Sequence, residues 1–205
     1  MESNEEEVSE PPLPRPVVYE EDEDPDCPFQ LTIGDELPNF HLPTQKVGES
    51  IYFDSTRGEY LVIVAFPLCF IPRSSSEAIA LQENLQRLSE IGCGVLGITT
   101  ESPYILAQWT TMRRCLGGTG ELQYPVCSDQ TGRVLKKLGL WYEGKGTALR
   151  GVVIISPEGR IIHIAKNAPE VTRSVEEIIR TINAHQTPPA EERPQKEVSY
   201  GKHRF

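Results

Sequence analysis

Leu61-Val62-Ile63-Val64-Ala65-Phe66-Pro67-Leu68-Cys69-Phe70-Ile71-Pro72-Arg73-Ser74 is the stretch on which the fold turns. Its first six residues are apolar without a break, as expected of a strand covered on both faces. A proline-containing loop follows. From Ser74 to Ile91 the apolar positions Ala78, Leu81, Leu85 and Leu88 recur at spacings of three and four, which predicts a helix. Strand, loop and helix in this order make the opening of an α/β unit.

The pattern continues outward. Gly94-Val95-Leu96-Gly97-Ile98 reads as the next buried strand. Ser102-Pro103 supplies an N-cap followed by a first-turn proline. The helix it opens is expected to bury Ile105, Trp109 and Met112, with Gly117-Gly118 as its stop. Tyr124–Cys127 is a short extended piece, and Asp129 caps a short helix with Val134, Leu135 and Leu138 inward. Gly151–Ile155 and Ile161–Ile164 are two strands joined by Pro157-Glu158-Gly159, a hairpin turn. Ser174-x-x-Glu177 is a capping box for a last helix burying Val175, Ile178, Ile179 and Ile182. A further hairpin is expected around Phe40–Leu42 and Ile51–Phe53. Alternating strands and helices imply a central mixed β-sheet with helices on both faces.

Charge divides the chain. Residues 1–26 hold eleven of the thirty acidic residues and one of the twenty basic ones, leaving nineteen of each in the remainder. The whole net charge of −10 thus belongs to that segment. A neutral body without a Lys/Arg run offers no general footprint for nucleic acid or an anionic membrane. Residues 1–28 are acidic and proline-rich, including Pro11-Pro12-Leu13-Pro14-Arg15-Pro16. They are expected to stay disordered, with the Pro11–Pro16 run favouring polyproline II as either a short docking peptide or part of a solvated tail. Residues 29–186 form the expected domain, and 187–205 a loose C-terminal tail.

Five cysteines (Cys27, Cys69, Cys93, Cys115 and Cys127) are scattered, odd in number and without a Cys-x-x-Cys pair. A disulfide framework, a zinc site or a bound cofactor is not expected. No run reaches the length of a membrane span, and the acidic N-terminus is unlike a secretory signal. A cytoplasmic setting fits, and a nuclear one is compatible.

Read together, these motifs resemble the peroxiredoxins of the AhpC/TSA family, in particular the typical two-cysteine subgroup. The residues that carry the resemblance run in order from 30 to 186. They are Ile33-Gly34-Asp35-x-x-Pro38-x-Phe40-x-Leu42, Phe66-Pro67-Leu68-x-Phe70, Gly117-Gly118-Thr119-Gly120, Tyr124-Pro125-Val126-x-Ser128-Asp129, Arg150–Ile155 and Arg173–Arg180. The resemblance implies a thioredoxin-like fold and thiol peroxidase chemistry. The family's site follows Pro-x-x-x-Thr-x-x-Cys, with an Arg from a later strand. Here it reads Pro67-x-x-x-Ile71-x-x-Ser74, with Arg150 kept and Glu77 and Arg173 matching two further positions.

The two changes bear on the chemistry. Peroxide reduction needs a thiolate, stabilised by a helix N-terminus and an adjacent Arg, that becomes a sulfenic acid. A serine hydroxyl stays protonated near neutral pH and has no comparable oxidation step. Isoleucine offers neither donor nor acceptor. No cysteine follows Cys127, and the segment matching the family's resolving cysteine reads Glu197-Val198-Ser199. Ser74-x-x-Glu77 also fits a capping box worth about 1 kcal/mol, which is the structural reading of Ser74. A nucleophilic serine would need a base and an oxyanion hole, and no Gly-x-Ser-x-Gly elbow is present. Arg150 and Arg173 are either a pocket for a small anion or an ion-pair network with Glu77.

Three functions follow. The chain is a family member without peroxidase activity that acts by binding. Its partners are then a second copy paired through Ile161, Ile162, His163 and Ile164, or active peroxiredoxins in a hetero-oligomer. Alternatively, Cys69 is a displaced nucleophile in an active thioredoxin-dependent peroxidase. In the third, the acidic tail binds a protein partner and the domain carries it.

Overall fold

The structure is a computed structural model of the chain, and it describes residues 30–53, 58–168 and 170–187. The expected tail 1–28, its Pro11–Pro16 run, Cys27 and the Glu197–Ser199 match lie outside the described residues.

The first strands, β1 (Phe40–Pro43) and β2 (Ser50–Phe53), form the expected antiparallel hairpin as a separate two-stranded sheet. The buried run becomes β3 (Tyr60–Ala65), every residue of it buried. Helix α1 (Pro72–Glu83) follows, then α2 (Leu85–Glu90), β4 (Cys93–Thr99) and α3 (Pro103–Thr111). After them come β5 (Val126–Ser128), α4 (Arg133–Lys137) and a small hairpin of β6 (Trp141–Tyr142) and β7 (Thr147–Ala148). The chain closes with β8 (Arg150–Ile155), β9 (Ile161–Asn167) and α5 (Val175–Gln186).

The central sheet has the order β5-β4-β3-β8-β9. Strands β5, β4 and β3 run parallel, and β8 and β9 are antiparallel additions. One face carries Val62, Val64, Val95, Val126, Val152 and Ile154 against Leu81, Leu88, Leu106, Trp109, Ile178 and Ile182 from α1, α2, α3 and α5. The other face carries Leu61, Ile63, Leu96, Ile98, Val153 and Ile155. It is covered by Val134 and Leu135 of α4, Leu138 just beyond it, and Leu42 and Phe53 of the first hairpin. The alternation along each strand divides its side chains between the two layers. The sheet is thus mixed with helices on both faces, as the sequence implies.

The two sheet edges differ. At β5 the edge is closed: Thr44 bridges Cys127, and Gln45 accepts from Val126 N at 2.7 Å while its amide donates to the Tyr124 carbonyl at 3.2 Å. At β9 only the start is covered, where Glu36 bridges Arg160 and Ile161 bonds Gly34 and Asp35; beyond it no further strand is hydrogen-bonded among the described residues.

Five local expectations are corrected. The first helix starts at Pro72, whose fixed φ suits a first helical position, and breaks at Asn84 rather than running unbroken to Ile91. Helix α3 turns Leu106, Trp109 and Thr110 inward, while Ile105 is exposed and Met112 lies past the helix end. Gly117-Gly118 therefore does not stop α3. Gly117 ends a short 3-10 turn at φ +91°, and a side-chain carbon on Gly118 would lie 2.2 Å from the Met112 carbonyl oxygen. Ser174 precedes α5 but makes no side-chain cap, so the capping box there does not form. Ile178 and Ile182 are buried as expected, whereas Val175 and Ile179 are only partly covered.

No helix among the described residues is long and apolar enough to cross a membrane.

Candidate functional site

The candidate site lies where β3 passes into α1. Beyond Phe66 the chain turns through Pro67, Leu68, Cys69 and Phe70. Phe70 adopts φ +60°, a left-handed backbone that costs a bulky residue energy and is sustained only by its surroundings. Ile71 is the residue flanking the helix and makes no side-chain cap. Pro72 is the first helical residue, which makes Ser74 the third.

That position overturns the capping reading of Ser74. A capping serine has extended backbone and stands outside the helix. Ser74 is helical and fully buried, and its hydroxyl has no hydrogen-bond partner among the described residues. Its expected box partner Glu77 is engaged elsewhere.

Glu77 is buried and holds two guanidinium groups. Its Oε2 accepts from Arg150 Nη1 in a very close contact and from Arg173 Nη2 at 2.6 Å. Its Oε1 accepts from the Arg173 backbone N–H at 2.9 Å. Arg173 also donates through Nη1 to the carbonyls of Ala65 (2.6 Å) and Gly151 (2.7 Å), which face each other at the ends of β3 and β8. Its guanidinium carbon lies 4.9 Å from the Phe66 ring centre. The cluster thus joins α1, β3, β8 and the segment entering α5.

Two buried cations share one buried anion, so one positive charge is left over. Burial lowers the Arg173 pKa from its ordinary value, and Glu77 opposes that shift. The Nε atoms of Arg150 and Arg173 have no partner among the described residues. Taking charges out of water is costly, and hydrogen bonds of this geometry offset the cost only while the carboxylate is present.

No thiol hydrogen-bonds to this cluster among the described residues. Cys69, Cys93 and Cys127 are buried and Cys115 is exposed, all four free. Burial pushes the Cys69 thiol far above its ordinary value, and Glu101 adds to the shift. Burial pushes Cys93 and Cys127 up to about 12. Thiols raised in this way hold very little thiolate near neutral pH.

The structure therefore brings Glu77, Arg150 and Arg173 into contact, sets Ser74 one helical turn before Glu77 on α1, and leaves Pro67, Cys69 and Ile71 in the preceding loop. Sequence reasoning missed Ser75. Its hydroxyl donates to the Gly117 carbonyl at 2.8 Å and accepts from Trp109 Nε1 at 3.0 Å, tying α1 to α3 and the Gly117 turn. It also missed Tyr124, whose hydroxyl donates to the Ala78 carbonyl at 2.9 Å. No spacing rule marks either contact. The only signal was polar side chains amid apolar runs. Among the described residues, no three His, Cys, Asp or Glu side chains gather as a metal site.

Comparison with known proteins fits this geometry. Residues 33–164 match the AhpC/TSA family. The chain is 36% identical over 140 residues to peroxiredoxin TSA1 of Saccharomyces cerevisiae, covering 68% of this chain and 71% of that one. It is 32% identical over 149 residues to a thioredoxin peroxidase of Fasciola hepatica, covering 72% and 77%. Among solved structures, the reduced 2-Cys peroxiredoxin of Plasmodium vivax superposes with a TM-score of 0.70 at 29% identity, over 75% of this chain and 81% of that one. A shared sheet, a shared motif order and these identities lead to one conclusion: the chain belongs to the AhpC/TSA family of peroxiredoxins.

Proposed function

We propose that this chain is a peroxiredoxin without peroxidase activity, in which Ser74 stands where active relatives carry the peroxidatic cysteine, and that it acts by binding. One observation carries the reading. The side chain held at the start of α1, one turn before the Glu77–Arg150–Arg173 cluster, is a buried hydroxyl and not a thiol. Ile71 beside it supplies no polar group for a peroxide oxygen. Pro67, Ile71, Ser74, Glu77, Arg150 and Arg173 are then a vestigial site, its charged members kept for the ion pairs that hold the fold together.

The binding element in this reading is β9. At Ile161 the outer backbone groups are taken by Gly34 N and the Asp35 carbonyl, at 2.8 and 2.9 Å, and beyond it the edge has no strand among the described residues and is a template for a second one. Antiparallel pairing of Ile161, Ile162, His163 and Ile164 with the same strand of a second copy gives a two-fold, isologous contact. The same edge serves for a mixed oligomer with active family members. A cytoplasmic setting belongs to this proposal.

A second reading is favoured by the names of the relatives, one of them a thioredoxin peroxidase. In it, Cys69 reduces peroxide and is itself reduced by thioredoxin. Its burial and raised pKa count against it.

A single experiment separates the two. Purified protein is given hydrogen peroxide with thioredoxin, thioredoxin reductase and NADPH, and sulfenic acids are trapped and located by mass spectrometry. The proposal expects no turnover above the protein-free rate. Turnover that vanishes in Cys69→Ser, with a trapped adduct on Cys69, would establish the second reading instead. Light scattering tests the binding element. A dimer is expected at micromolar concentration, and a strict monomer would remove β9 from the account.

A further inference from the structure

We propose that β9 pairs with β9 of a second copy through His163–Asn167 alone, centred on Ala165, which stands opposite itself across the two-fold axis. The inference rests on the β9 contact proposed above. It fixes the partner as a second copy of this chain and moves the centre of the contact from Ile161–Ile164 to Ala165.

The start of the edge is already occupied. Leu37 N donates to the Gly159 carbonyl at 3.1 Å, Glu36 bridges Arg160, and Ile161 bonds the Asp35 carbonyl at 2.9 Å and Gly34 N at 2.8 Å. Arg160 ties the same segment down, donating to the Gly34 carbonyl at 3.0 Å and to Glu36 Oε1 at 2.8 Å. At Gly34 the backbone turns with φ +95°, which a glycine adopts without strain, and Thr32 N donates back to Asp35 Oδ2 at 2.7 Å. Leu31 N is then bonded to the Lys137 carbonyl, at the end of α4. The segment thus reaches the edge from α4 and stops at Ile161.

Past that point the strand becomes regular. The pairs Ile155–Ile161 and Ile154–His163 leave Ile162 as an extra residue, a bulge. From His163 to Asn167 the five residues pair one to one with Ile154 to Arg150. Cross-strand partners share a face. His163 and Ala165 therefore lie on the α5 side, opposite Ile154 and Val152, and Ile164 and Lys166 on the other, opposite Val153 and Gly151.

A two-fold axis through an antiparallel pair must set one residue opposite itself, because successive pairs alternate between hydrogen-bonded and not. Centring on His163 or Ile164 brings the partner strand to Ile161, where Gly34 and Asp35 already sit. Centring on Lys166 sets two ammonium groups directly opposite, which is destabilising. Centring on Asn167 carries most of the pairing past the strand end. Ala165 remains. There His163 faces the partner's Asn167, two side chains able to hydrogen-bond, and Ile164 faces the partner's Lys166, whose methylene stem covers it. Beyond Asn167 the chain leaves the edge: Val171 N bonds the Ala168 carbonyl at 2.9 Å, and Arg73 of α1 holds the Glu170 carbonyl. Two five-stranded sheets then join as one of ten strands.

The test uses the full chain carrying Cys27→Ser and Cys115→Ser, which leaves the three buried thiols. Opposite residues lie about 4.5–5.5 Å apart at Cα, within disulfide reach, whereas those two positions out of step lie beyond about 7 Å. Under copper phenanthroline, Ala165→Cys is expected to link to itself about tenfold or more faster than Ile164→Cys or Lys166→Cys, read on non-reducing gels. An equal mixture of the Ile164→Cys and Lys166→Cys proteins should link although neither does alone, which tests the same alignment with Ala165 untouched. Light scattering on the unsubstituted protein accompanies both. A dimer in which Ile164→Cys or Lys166→Cys links to itself faster than Ala165→Cys overturns the centring and leaves β9 as the contact. A dimer that links at none of the three positions overturns the centring and the β9 contact together. A strict monomer removes the contact on which the centring rests.

Discussion

Two helices of this protein begin alike and behave differently. Both α1 and α3 open on a proline, Pro72 and Pro103, with a serine close by. At α3, Ser102 stands just outside the helix, with extended backbone, and its hydroxyl accepts from Ile105 N at 3.4 Å. At α1, Ser74 lies inside the helix, fully buried and without a hydrogen-bond partner among the described residues. The first serine satisfies an otherwise orphaned amide. The second costs free energy where it stands, since a buried hydroxyl has given up its water. A serine near a helix start is thus no evidence of a cap. What α1 preserves is the environment around that position, in which a single carboxylate holds two buried guanidinium groups.

The comparison can be broken most forcefully at Glu77. Glu77→Ala leaves Arg150 and Arg173 buried without their anion, and the expected loss is about 3–5 kcal/mol by urea unfolding. A loss below about 1 kcal/mol would mean that the cluster is not what anchors the start of α1. Next in size is Ser75→Ala, which strands Trp109 Nε1 in the core and removes the link to Gly117. It should cost about 1–3 kcal/mol in the same assay. Its neighbour should move the other way. Ser74→Ala removes an unsatisfied hydroxyl and is expected to raise stability by about 1 kcal/mol. A destabilisation at this site would reveal a partner for the hydroxyl and undo the contrast. The smallest effect belongs to Ser102→Ala. With its cap bond at 3.4 Å, the loss should be about 0.5 kcal/mol, seen as a slightly lower thermal midpoint.

The two edges of the sheet repeat the lesson on a larger scale. Strand β5 has its backbone satisfied by Thr44 and Gln45, just past β1, whereas β9 is covered only at Ile161, by Gly34 and Asp35, and has no strand beyond it among the described residues. In sequence both are short apolar runs. Only the way residues 34–45 pack against the two strands separates a covered edge from one left open past its first residue.

The amino-acid sequence by itself determined the strands, because a strand buried on both faces must be apolar throughout, and Leu61–Phe66, Gly94–Ile98 and Gly151–Ile155 are such runs. The order of elements, the hairpin around Phe40 and Phe53 and the last helix were legible for the same reason: backbone periodicity is local. The family was legible too, since its motifs recur in order. The break at Asn84, the two-residue strands at Trp141 and Thr147, and the inward face of α3 were not, because short elements carry too few periods to set a phase. The tertiary structure alone decided what Ser74 and Glu77 do. Three residues apart, they read as a reciprocal cap. In space, Glu77 is taken by two arginines that lie 73 and 96 positions further along the chain. A buried carboxylate goes to the cations that replace its water, and no local spacing says where those cations will be.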